Sequence, residues 1–274
     1  MSDSTSTQAP TIHHEDTGGD GRPVVLIHGW PLSGASWKDT VPALTDAGYR
    51  VITYDRRGFG QSSPAPDGRY DYDALASDLD SLLTALDLTD VTLVGFSMGG
   101  GEVARYVGNH GTDRLRSIAF LGAIPPWLLK SDENPDGGLP REDAEQMQQD
   151  LRADREEFLD EFMTNFFSAD GDLKVTEDQR QDALGMAAQA DLDAMTSCIE
   201  SWLTNFTGDL AKVTVPTLVV HGDSDAIVPF EVSGKRTHEQ VAGSDLVVIE
   251  DGPHGFLASH PDQVNTALLD FLQK

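Results

Sequence analysis

The sequence predicts an α/β protein in which a mostly parallel, doubly wound sheet carries an inserted helical lid. Strand-type and helix-type segments alternate from residue 23 to residue 121. Over residues 124–212 amphipathic helical patterns replace the alternation, and strand-type segments return at residue 215. We therefore expect a core made of residues 11–123 and 213–274, a helical lid over 124–212, and a disordered polar tail over 1–10.

Short apolar runs predict the strands of the first half of the core. Residues 23–27 are an unbroken apolar run, which is typical of a strand that is buried on both faces of a parallel sheet. The other predicted strands are an edge strand over 11–16 and strands over 49–54, 91–94 and 115–121. Helices are predicted over 36–47 and after Asp73, which we expect to be the capping residue.

The second half of the chain is predicted from the same signals. In the lid, two helical faces are expected, one with Met147, Leu151, Phe158, Leu159, Phe162, Met163 and Phe166, the other with Leu192, Met195, Ile199, Trp202, Leu203 and Phe206. Strands follow over 215–220 and 245–249, with a helix over 231–240 between them. The last helix is expected to begin near Pro261, because proline suits a first helical turn.

The composition excludes several classes of partner. Asp and Glu total 46 against 19 Lys and Arg, so the formal net charge of the 274 residues is −27. This charge repels nucleic acid and anionic membrane surfaces, and we expect neither as a partner. No secretory signal and no bilayer-length apolar run is found, which predicts a soluble, cytoplasmic protein. The acidic excess suggests a host with high internal salt, where screening reduces self-repulsion.

The single cysteine limits metal and redox chemistry. Cys198 is the only cysteine, so an intrachain disulfide is impossible, and a cysteine-based zinc site is not expected. Cys198 lies within an apolar helical pattern, which favours a core position over a nucleophilic role. We expect no metal site and no cofactor.

Residues 91–101 have the pattern of a strand, a sharp turn and a helix, with Ser97 at the apex of the turn. The sequence Gly95-Phe-Ser97-Met-Gly99 matches the Gly-x-Ser-x-Gly pattern of a nucleophile elbow. In such an elbow the serine adopts a strained conformation, and small residues are needed on both sides of it. We therefore expect Ser97 to be a nucleophile held above the sheet.

A serine hydroxyl needs an adjacent base, which a third group orients. Among the histidines, His254 follows the last predicted strand in a glycine-rich loop, which makes it the predicted base. His28 and His221 precede glycines at strand ends and are interpreted as structural residues bonded to nearby backbone. The candidates for the third group are Asp223, Asp225 and Asp251.

The developing oxyanion of an acyl-transfer reaction needs hydrogen-bond donors. The elbow supplies the backbone N–H of Met98, the residue after the nucleophile. The loop after residue 27 is expected to supply the second donor, and Trp30 is the candidate.

Several motifs together resemble the cofactor-free bacterial haloperoxidases, a family of perhydrolases and aryl esterases with the α/β-hydrolase fold. They are His28-Gly-Trp-Pro-Leu-Ser, Tyr54-Asp-Arg-Arg-Gly-Phe-Gly-Gln-Ser, Gly95-Phe-Ser-Met-Gly-Gly-Gly-Glu-Val, His221-Gly-Asp-Ser-Asp225-Ala-Ile-Val-Pro and Gly252-Pro-His254-Gly-Phe. The resemblance implies a Ser97–Asp225–His254 triad, in the chain order of the fold, with Trp30 and Met98 as oxyanion donors. It also implies a reaction without haem or vanadium. The implied products are a hydrolysed ester, or a peracid that oxidises halide in solution.

The resemblance also implies the chemistry of the substrate site. A proline after the oxyanion tryptophan, here Pro31, is similar to the perhydrolase-competent form, in which the Trp30 carbonyl accepts a hydrogen bond from peroxide. The predicted apolar pocket for short acyl groups comprises Trp30, Pro31, Ile124, Phe162, Ile227 and Val228. The aromatic side chains of the lid and the Met98 side chain are expected to contribute to it. The expected substrates are a small ester or carboxylic acid and hydrogen peroxide.

Two alternatives remain open from the sequence. A lactonase, an amidase or a C–C bond hydrolase would use the same triad on the same fold, whereas dehalogenases and epoxide hydrolases have an aspartate in place of Ser97. A non-catalytic ligand-binding protein is the second alternative, against which the complete triad argues. The sequence leaves the oligomeric state open and allows a homo-oligomer.

Overall fold

The structure is a computed structural model that describes residues 9–274. Residues 1–8 of the predicted disordered tail lie outside the described residues. Within the described chain the strands are β1 (His14–Asp16), β2 (Pro23–Ile27), β3 (Arg50–Tyr54), β4 (Val91–Phe96), β5 (Leu115–Leu121), β6 (Leu129–Lys130), β7 (Leu139–Pro140), β8 (Ser168–Ala169), β9 (Asp172–Leu173), β10 (Thr217–Gly222) and β11 (Asp245–Ile249).

Helices flank these strands and fill the segment between β5 and β10. They are α1 (Thr40–Asp46), α2 (Tyr72–Ala85), α3 (Met98–His110), α4 (Arg141–Ala153), α5 (Arg155–Phe166), α6 (Glu177–Ala187), α7 (Leu192–Ser201), α8 (Thr207–Leu210), α9 (Gly234–Gln240), α10 (Phe256–Ser259) and α11 (Pro261–Leu272), with a 3-10 helix over Gly34–Trp37. In the described residues no helix is long and apolar enough to cross a membrane.

Seven strands form one sheet in the order β1-β3-β2-β4-β5-β10-β11. Only the edge strand β1 runs antiparallel to its neighbour, β3, and the other pairs in this sheet are parallel. β2 and β4 are almost entirely buried because helices cover both faces of the sheet, as the unbroken apolar runs predict. The predicted doubly wound α/β fold is confirmed. Since the parallel strands end at the same edge, the loops after β2, β4, β10 and β11 meet there.

The structure differs from the sequence prediction at the start of two helices. The helix predicted over 36–47 is a 3-10 turn followed by α1, whose first turn accommodates Pro42 because N–H groups there have no intrahelical partner. The capping residue of α2 is Asp71, whose side chain accepts a hydrogen bond from the Ala74 N–H (2.9 Å). Asp73 lies in the first turn and pairs with Arg105 at 2.6 Å.

The segment 124–212, for which we keep the name lid, contains α4 to α8. It also contains β6 paired with β7 and β8 paired with β9, which were not predicted from the sequence. Each of these strands has two residues, which is too short for an alternating pattern to be visible. The division into core and lid remains our interpretation.

Candidate active site

Ser97 lies at the junction of β4 and α3, between Phe96 and Met98. Its backbone has φ 53° and ψ −120°, a conformation that non-glycine residues rarely adopt. The Ser97 N–H donates to the Leu121 carbonyl of the neighbouring strand (2.9 Å), which helps hold this conformation. Strain of this kind persists only where the surroundings enforce it, and it is common at functional sites.

The two glycines of the elbow are required by close backbone contacts. A Cβ on Gly95 would lie 2.5 Å from the Gly99 carbonyl oxygen. A Cβ on Gly99 would lie 2.5 Å from the Ile27 carbonyl oxygen at the end of β2. Both distances are too short for a real side chain, so the elbow closes only with glycine at both positions.

Ser97, His254 and Asp225 form one hydrogen-bonded line. His254 Nε2 lies 2.9 Å from Ser97 Oγ, and His254 Nδ1 lies 2.7 Å from Asp225 Oδ2. This arrangement places the donating Nδ1–H toward the carboxylate and leaves Nε2 to accept from the serine hydroxyl. Asp225 is the acid among the three candidates that reaches His254, as the resemblance implied.

Asp225 is almost completely buried, at 5% exposure, and is hydrogen-bonded on both oxygens. Its Oδ1 accepts from the backbone N–H groups of Ile227 (3.0 Å) and Val228 (2.8 Å). Burial alone would raise the pKa of this carboxyl, but the charge of His254 and hydrogen bonds from His221 and His254 lower the pKa of Asp225 to about 2. The carboxylate is therefore ionised at neutral pH.

The two histidines interpreted as structural are buried and bonded to backbone, as predicted. His28 accepts from the Arg56 N–H at Nε2 (2.9 Å), and its Nδ1 lies 2.9 Å from the Gly29 carbonyl. His221 donates from Nε2 to the Val228 carbonyl (2.7 Å) and lies 3.4 Å from Asp225 Oδ2. His221 thus contacts the loop that holds the carboxylate.

The lid contacts His254 directly. The Phe166 ring at the end of α5 meets the imidazole edge to face, with centroids 4.9 Å apart. The Gly255 N–H, on the residue after the histidine, donates to the Phe166 carbonyl (2.7 Å). The His254 ring is therefore enclosed from the lid side as well as by Phe96, whose ring centroid lies 5.2 Å away.

The two residues predicted to supply the oxyanion donors both lie close to Ser97 in the structure. Met98 is the first residue of α3, and the first N–H groups of a helix have no intrahelical acceptor. The loop carrying Trp30 lies against Ser97, since a Cβ on Gly29 would be 3.0 Å from Ser97 Cβ. The Trp30 indole N–H donates to the Met195 carbonyl (3.1 Å) in α7, which ties this loop to the lid.

A buried ion pair beneath the elbow was not predicted from the sequence. Arg56 pairs with Glu102, and both side chains are almost completely buried. The Arg56 guanidinium also donates to the His28 carbonyl (2.8 Å), and the Tyr54 hydroxyl donates to Glu102 (2.5 Å). The pair thus joins the loop after β2 to helix α3, which starts at Met98. The Tyr54-Asp-Arg motif was visible, but no sequence pattern indicates that its arginine is buried.

A cavity of about 340 Å³ opens onto Ser97 between the core and the lid. Five of the six predicted pocket residues line it: Trp30, Ile124, Phe162, Ile227 and Val228. Pro31 does not line it; this residue is buried and follows Trp30 through a cis peptide bond. Met98 is also completely buried and does not line it, contrary to our expectation for its side chain. Two further lid aromatics, Phe158 and Trp202, line it, as expected of the lid, whereas Leu128, Met147, Glu161 and Asn165 were not predicted from the sequence.

The tryptophan that lines this cavity, Trp30, packs against lid aromatics. The Trp30 ring packs edge to face on Phe162 (4.9 Å between centroids) and on Trp202 (5.1 Å). These contacts form the apolar wall beside Ser97. They join residues that are far apart in sequence, which is why the pocket was only partly predicted.

Metal binding and thiol chemistry receive no support from the geometry. Within residues 9–274 no group of three or more His, Cys, Asp or Glu side chains could hold a metal ion. Burial raises the pKa of the Cys198 thiol to about 12, so it is protonated and unreactive, as expected for a core position.

Comparison with known proteins decides the family. Residues 22–261 match the family that is described as having the alpha/beta hydrolase fold. The chain belongs to the α/β-hydrolase family. A non-heme chloroperoxidase of Kitasatospora aureofaciens is 46% identical, with 98% of each chain covered. A bromoperoxidase structure from Bacillus anthracis shares 53% identity and a TM-score of 0.93, covering 96% of this chain and 95% of the other.

A third relative of this α/β-hydrolase is a bifunctional esterase/perhydrolase of Acinetobacter calcoaceticus, 34% identical over 98% of each chain. The resemblance to cofactor-free haloperoxidases and esterases is confirmed by these relatives. They identify the chain as an enzyme and support a hydrolase or haloperoxidase function.

Proposed function

We propose that this α/β-hydrolase is a serine esterase and perhydrolase that forms an acyl-enzyme on Ser97 from a short ester or carboxylic acid. The observation that carries the proposal is the hydrogen-bonded line from Ser97 Oγ through His254 to the buried Asp225. Nucleophile, base and orienting carboxylate are each within hydrogen-bond distance, which is the geometry that activates a serine.

In the first half of the reaction His254 Nε2 takes the Ser97 proton as Oγ attacks the carbonyl carbon. Asp225 stabilises the imidazolium that forms, and its low pKa keeps it ionised throughout. The N–H groups of Met98 and Trp30 hold the tetrahedral oxyanion. His254 then returns the proton to the leaving group, which departs as an alcohol, or as water from a carboxylic acid.

In the second half water or hydrogen peroxide attacks the acyl-enzyme. His254 takes a proton from the attacking molecule and returns it to Ser97 Oγ as the acyl bond breaks. Water gives a carboxylic acid, and hydrogen peroxide gives a peracid, which oxidises halide after release. We assign to the Trp30 carbonyl, whose conformation Pro31 restricts, the role of accepting a hydrogen bond from peroxide.

The cavity favours short, neutral acyl groups. Its walls are mainly apolar, and none of the described residues that line it is Lys or Arg. Glu161 contributes a carboxylate to the lining, which repels an anionic acyl chain. This charge argues against dicarboxylate substrates.

The test of the nucleophile is the Ser97→Ala variant. Without the Ser97 hydroxyl no acyl-enzyme forms, so turnover of p-nitrophenyl acetate and labelling by a fluorophosphonate should both be lost. Ser224→Ala, at a half-buried serine in the Asp225 loop, is the control and should retain both. Ester turnover that survives Ser97→Ala would refute the mechanism, and a wild-type protein that resists the fluorophosphonate would indicate a non-catalytic binding protein.

The acyl acceptor and the substrate class are tested with the wild-type enzyme. Esters, lactones and amides are assayed with and without hydrogen peroxide, and peracid formation from acetate is compared with hydrolysis of a simple aryl ester. The proposal expects aryl ester hydrolysis and peracid from acetate. Preference for a lactone, an amide or a C–C bond substrate would replace it by one of those hydrolase activities.

A further inference from the structure

One wall of the Ser97 cavity contains an oxidisable side chain. Met147, on helix α4 of the lid, is half-buried and lines the cavity together with Ser97. Met147 therefore borders the space in which, under the proposed function, the acyl group is transferred. Methionine sulfur accepts one oxygen atom to become a sulfoxide, a change that converts an apolar side chain into a polar one.

The other methionines in the described chain have different surroundings. Met98, Met163 and Met195 are completely buried and do not line the Ser97 cavity. Met186, on helix α6, is half-buried like Met147, but it lines two other cavities that do not include Ser97. Met147 and Met186 are thus a matched pair that differs in access to the nucleophile.

We propose that Met147 is a self-oxidation site of this enzyme, modified by the peracid formed on Ser97. This inference rests on the peroxide branch of the proposed function. The electrophilic outer oxygen of the peracid bonds to Met147 Sγ, and the O–O bond breaks. The sulfur is oxidised by two electrons, the peracid is reduced to the parent carboxylic acid, and the proton moves to its carboxylate oxygen.

The position of Met147 makes oxidation depend on turnover. A peracid that forms inside the cavity meets Met147 before it reaches solvent, whereas Met186 meets only peracid that has escaped. A sulfoxide at position 147 would place a polar group on an apolar wall, which weakens binding of the acyl chain. We therefore expect the KM for the acyl substrate to rise as peracid is produced.

The experiment measures sulfoxide at both positions by peptide mass spectrometry. The full-length enzyme turns over acetate and hydrogen peroxide in the presence of excess free methionine, which traps peracid in solution. Parallel samples contain the Ser97→Ala variant with hydrogen peroxide alone, or with added peracetic acid. The expected ratio of oxidation at Met147 to that at Met186 is roughly tenfold higher in the working enzyme than in the variant, because the oxidant forms beside its target.

Each outcome has a definite meaning. A Met147 to Met186 ratio that is equal in the working enzyme and in the Ser97→Ala samples shows oxidation from bulk solution and overturns the inference. A Met147 sulfoxide signal that is lost when free methionine is added has the same meaning. If the trapping methionine is oxidised beyond the level seen in the Ser97→Ala sample with hydrogen peroxide alone while Met147 stays reduced, peracid has formed, so the inference fails and the proposed function stands. If the wild-type enzyme makes no peracid, the peroxide branch itself fails, and the inference fails with it.

A second measurement follows the loss of activity. The Met147→Leu variant removes the sulfur, so the fraction of its own starting activity lost per peracid formed should be several-fold smaller than in the wild type. The Met186→Leu variant should lose activity as fast as the wild type does. If Met147→Leu and the wild type lose the same fraction of activity per peracid formed, oxidation of Met147 does not cause the inactivation, and the expected effect on the acyl substrate is refuted.

Discussion

Asp225 makes two kinds of hydrogen bond at the same time, one to His254 and the others to backbone. One oxygen orients His254, while the other accepts two backbone N–H groups from its own loop. Full hydrogen bonding allows a carboxylate to remain ionised in a site that excludes water. The proposed reaction therefore needs no protonation change at Asp225.

The low pKa of Asp225 predicts a contribution to stability that depends on pH. Since its pKa is about 2 in the folded protein and 3.8 for an unperturbed aspartate, the ionised carboxylate should stabilise the fold fully above pH 3.8. The shift corresponds to about 2 kcal/mol, which is lost as pH falls through the interval from 3.8 toward 2. In urea titrations the free energy of unfolding of the wild type should exceed that of Asp225→Asn, and this excess should be larger at pH 7 than at pH 3.

The control for this prediction is Asp223→Asn, because Asp223 is exposed and lies in the same loop. The free energy of unfolding of Asp223→Asn should be close to that of the wild type at both pH values. A difference between the wild type and Asp225→Asn that does not shrink at pH 3 would show that the carboxylate charge is not what stabilises the loop.

At the scale of the elements, the strand–turn–helix elbow depends on the absence of two side chains. A Cβ at Gly95 or Gly99 would contact backbone oxygen at 2.5 Å, so the neighbouring strand or helix must move. Gly95→Ala and Gly99→Ala should each lower the free energy of unfolding by about 1–3 kcal/mol and reduce ester turnover. Thermal unfolding and p-nitrophenyl acetate hydrolysis measure the two effects.

Gly185→Ala is the matched control for the elbow variants. A Cβ on Gly185, in helix α6, would meet no atom within 4 Å. Alanine favours the helix by about 0.5–1 kcal/mol relative to glycine, so this variant should be more stable than the wild type. Elbow variants with unchanged stability and turnover would disprove the close-packing argument.

The buried Arg56–Glu102 pair is expected to position the oxyanion donors. It joins the His28 carbonyl, two residues before Trp30, to helix α3, which begins at Met98. Glu102→Gln removes the charge partner of a buried guanidinium and should destabilise the fold by about 3–5 kcal/mol. The double variant Arg56→Met/Glu102→Leu leaves no unpaired charge, so it should recover stability while kcat remains about tenfold or more below the wild type, with a smaller change in KM.

The neighbouring pair provides the control for this prediction. Arg57 and Asp78 are 2.6 Å apart and largely buried, but Arg57 bonds to the Arg69 carbonyl instead of the His28 loop. Arg57→Met/Asp78→Leu should therefore leave kcat near the wild-type value. If both double variants lose kcat equally, the Arg56 pair has a structural role only.

At the scale of the whole molecule, the charge is the dominant property. With a net charge of −27, most carboxylates lack a basic partner and repel one another. The Debye length, over which the repulsion between exposed charges acts, is about 10 Å at 0.1 M salt and about 3 Å at 1 M. The midpoint of thermal unfolding should therefore rise as the KCl concentration is increased from about 0.05 M to about 1 M. NaCl should act equally if screening is the cause, and a stability maximum at low salt would contradict the halophile hypothesis.

Sequence patterns predicted the parts of the molecule that depend on local chemistry. The apolar run 23–27 and the elbow around Ser97 identify their own strands, and the fold then brings His254 and Asp225 to the same edge. The cavity wall was predicted less well because it joins distant segments, as Trp30 and Trp202 do. The burial of Arg56 was missed since charged residues are mostly exposed, and its partner became visible only in three dimensions.

The hydrogen bond from Gly255 to the Phe166 carbonyl has a consequence for exchanging lids between related enzymes. The loop that carries His254 is anchored to the last turn of α5, so the lid also helps to position the His254 ring. A chimaera that carries the lid of another enzyme must therefore provide a carbonyl at this point. Without it, the substrate preference could change, but His254 would be misaligned. Under the proposed function, one segment would thus determine both the choice of substrate and the position of the base.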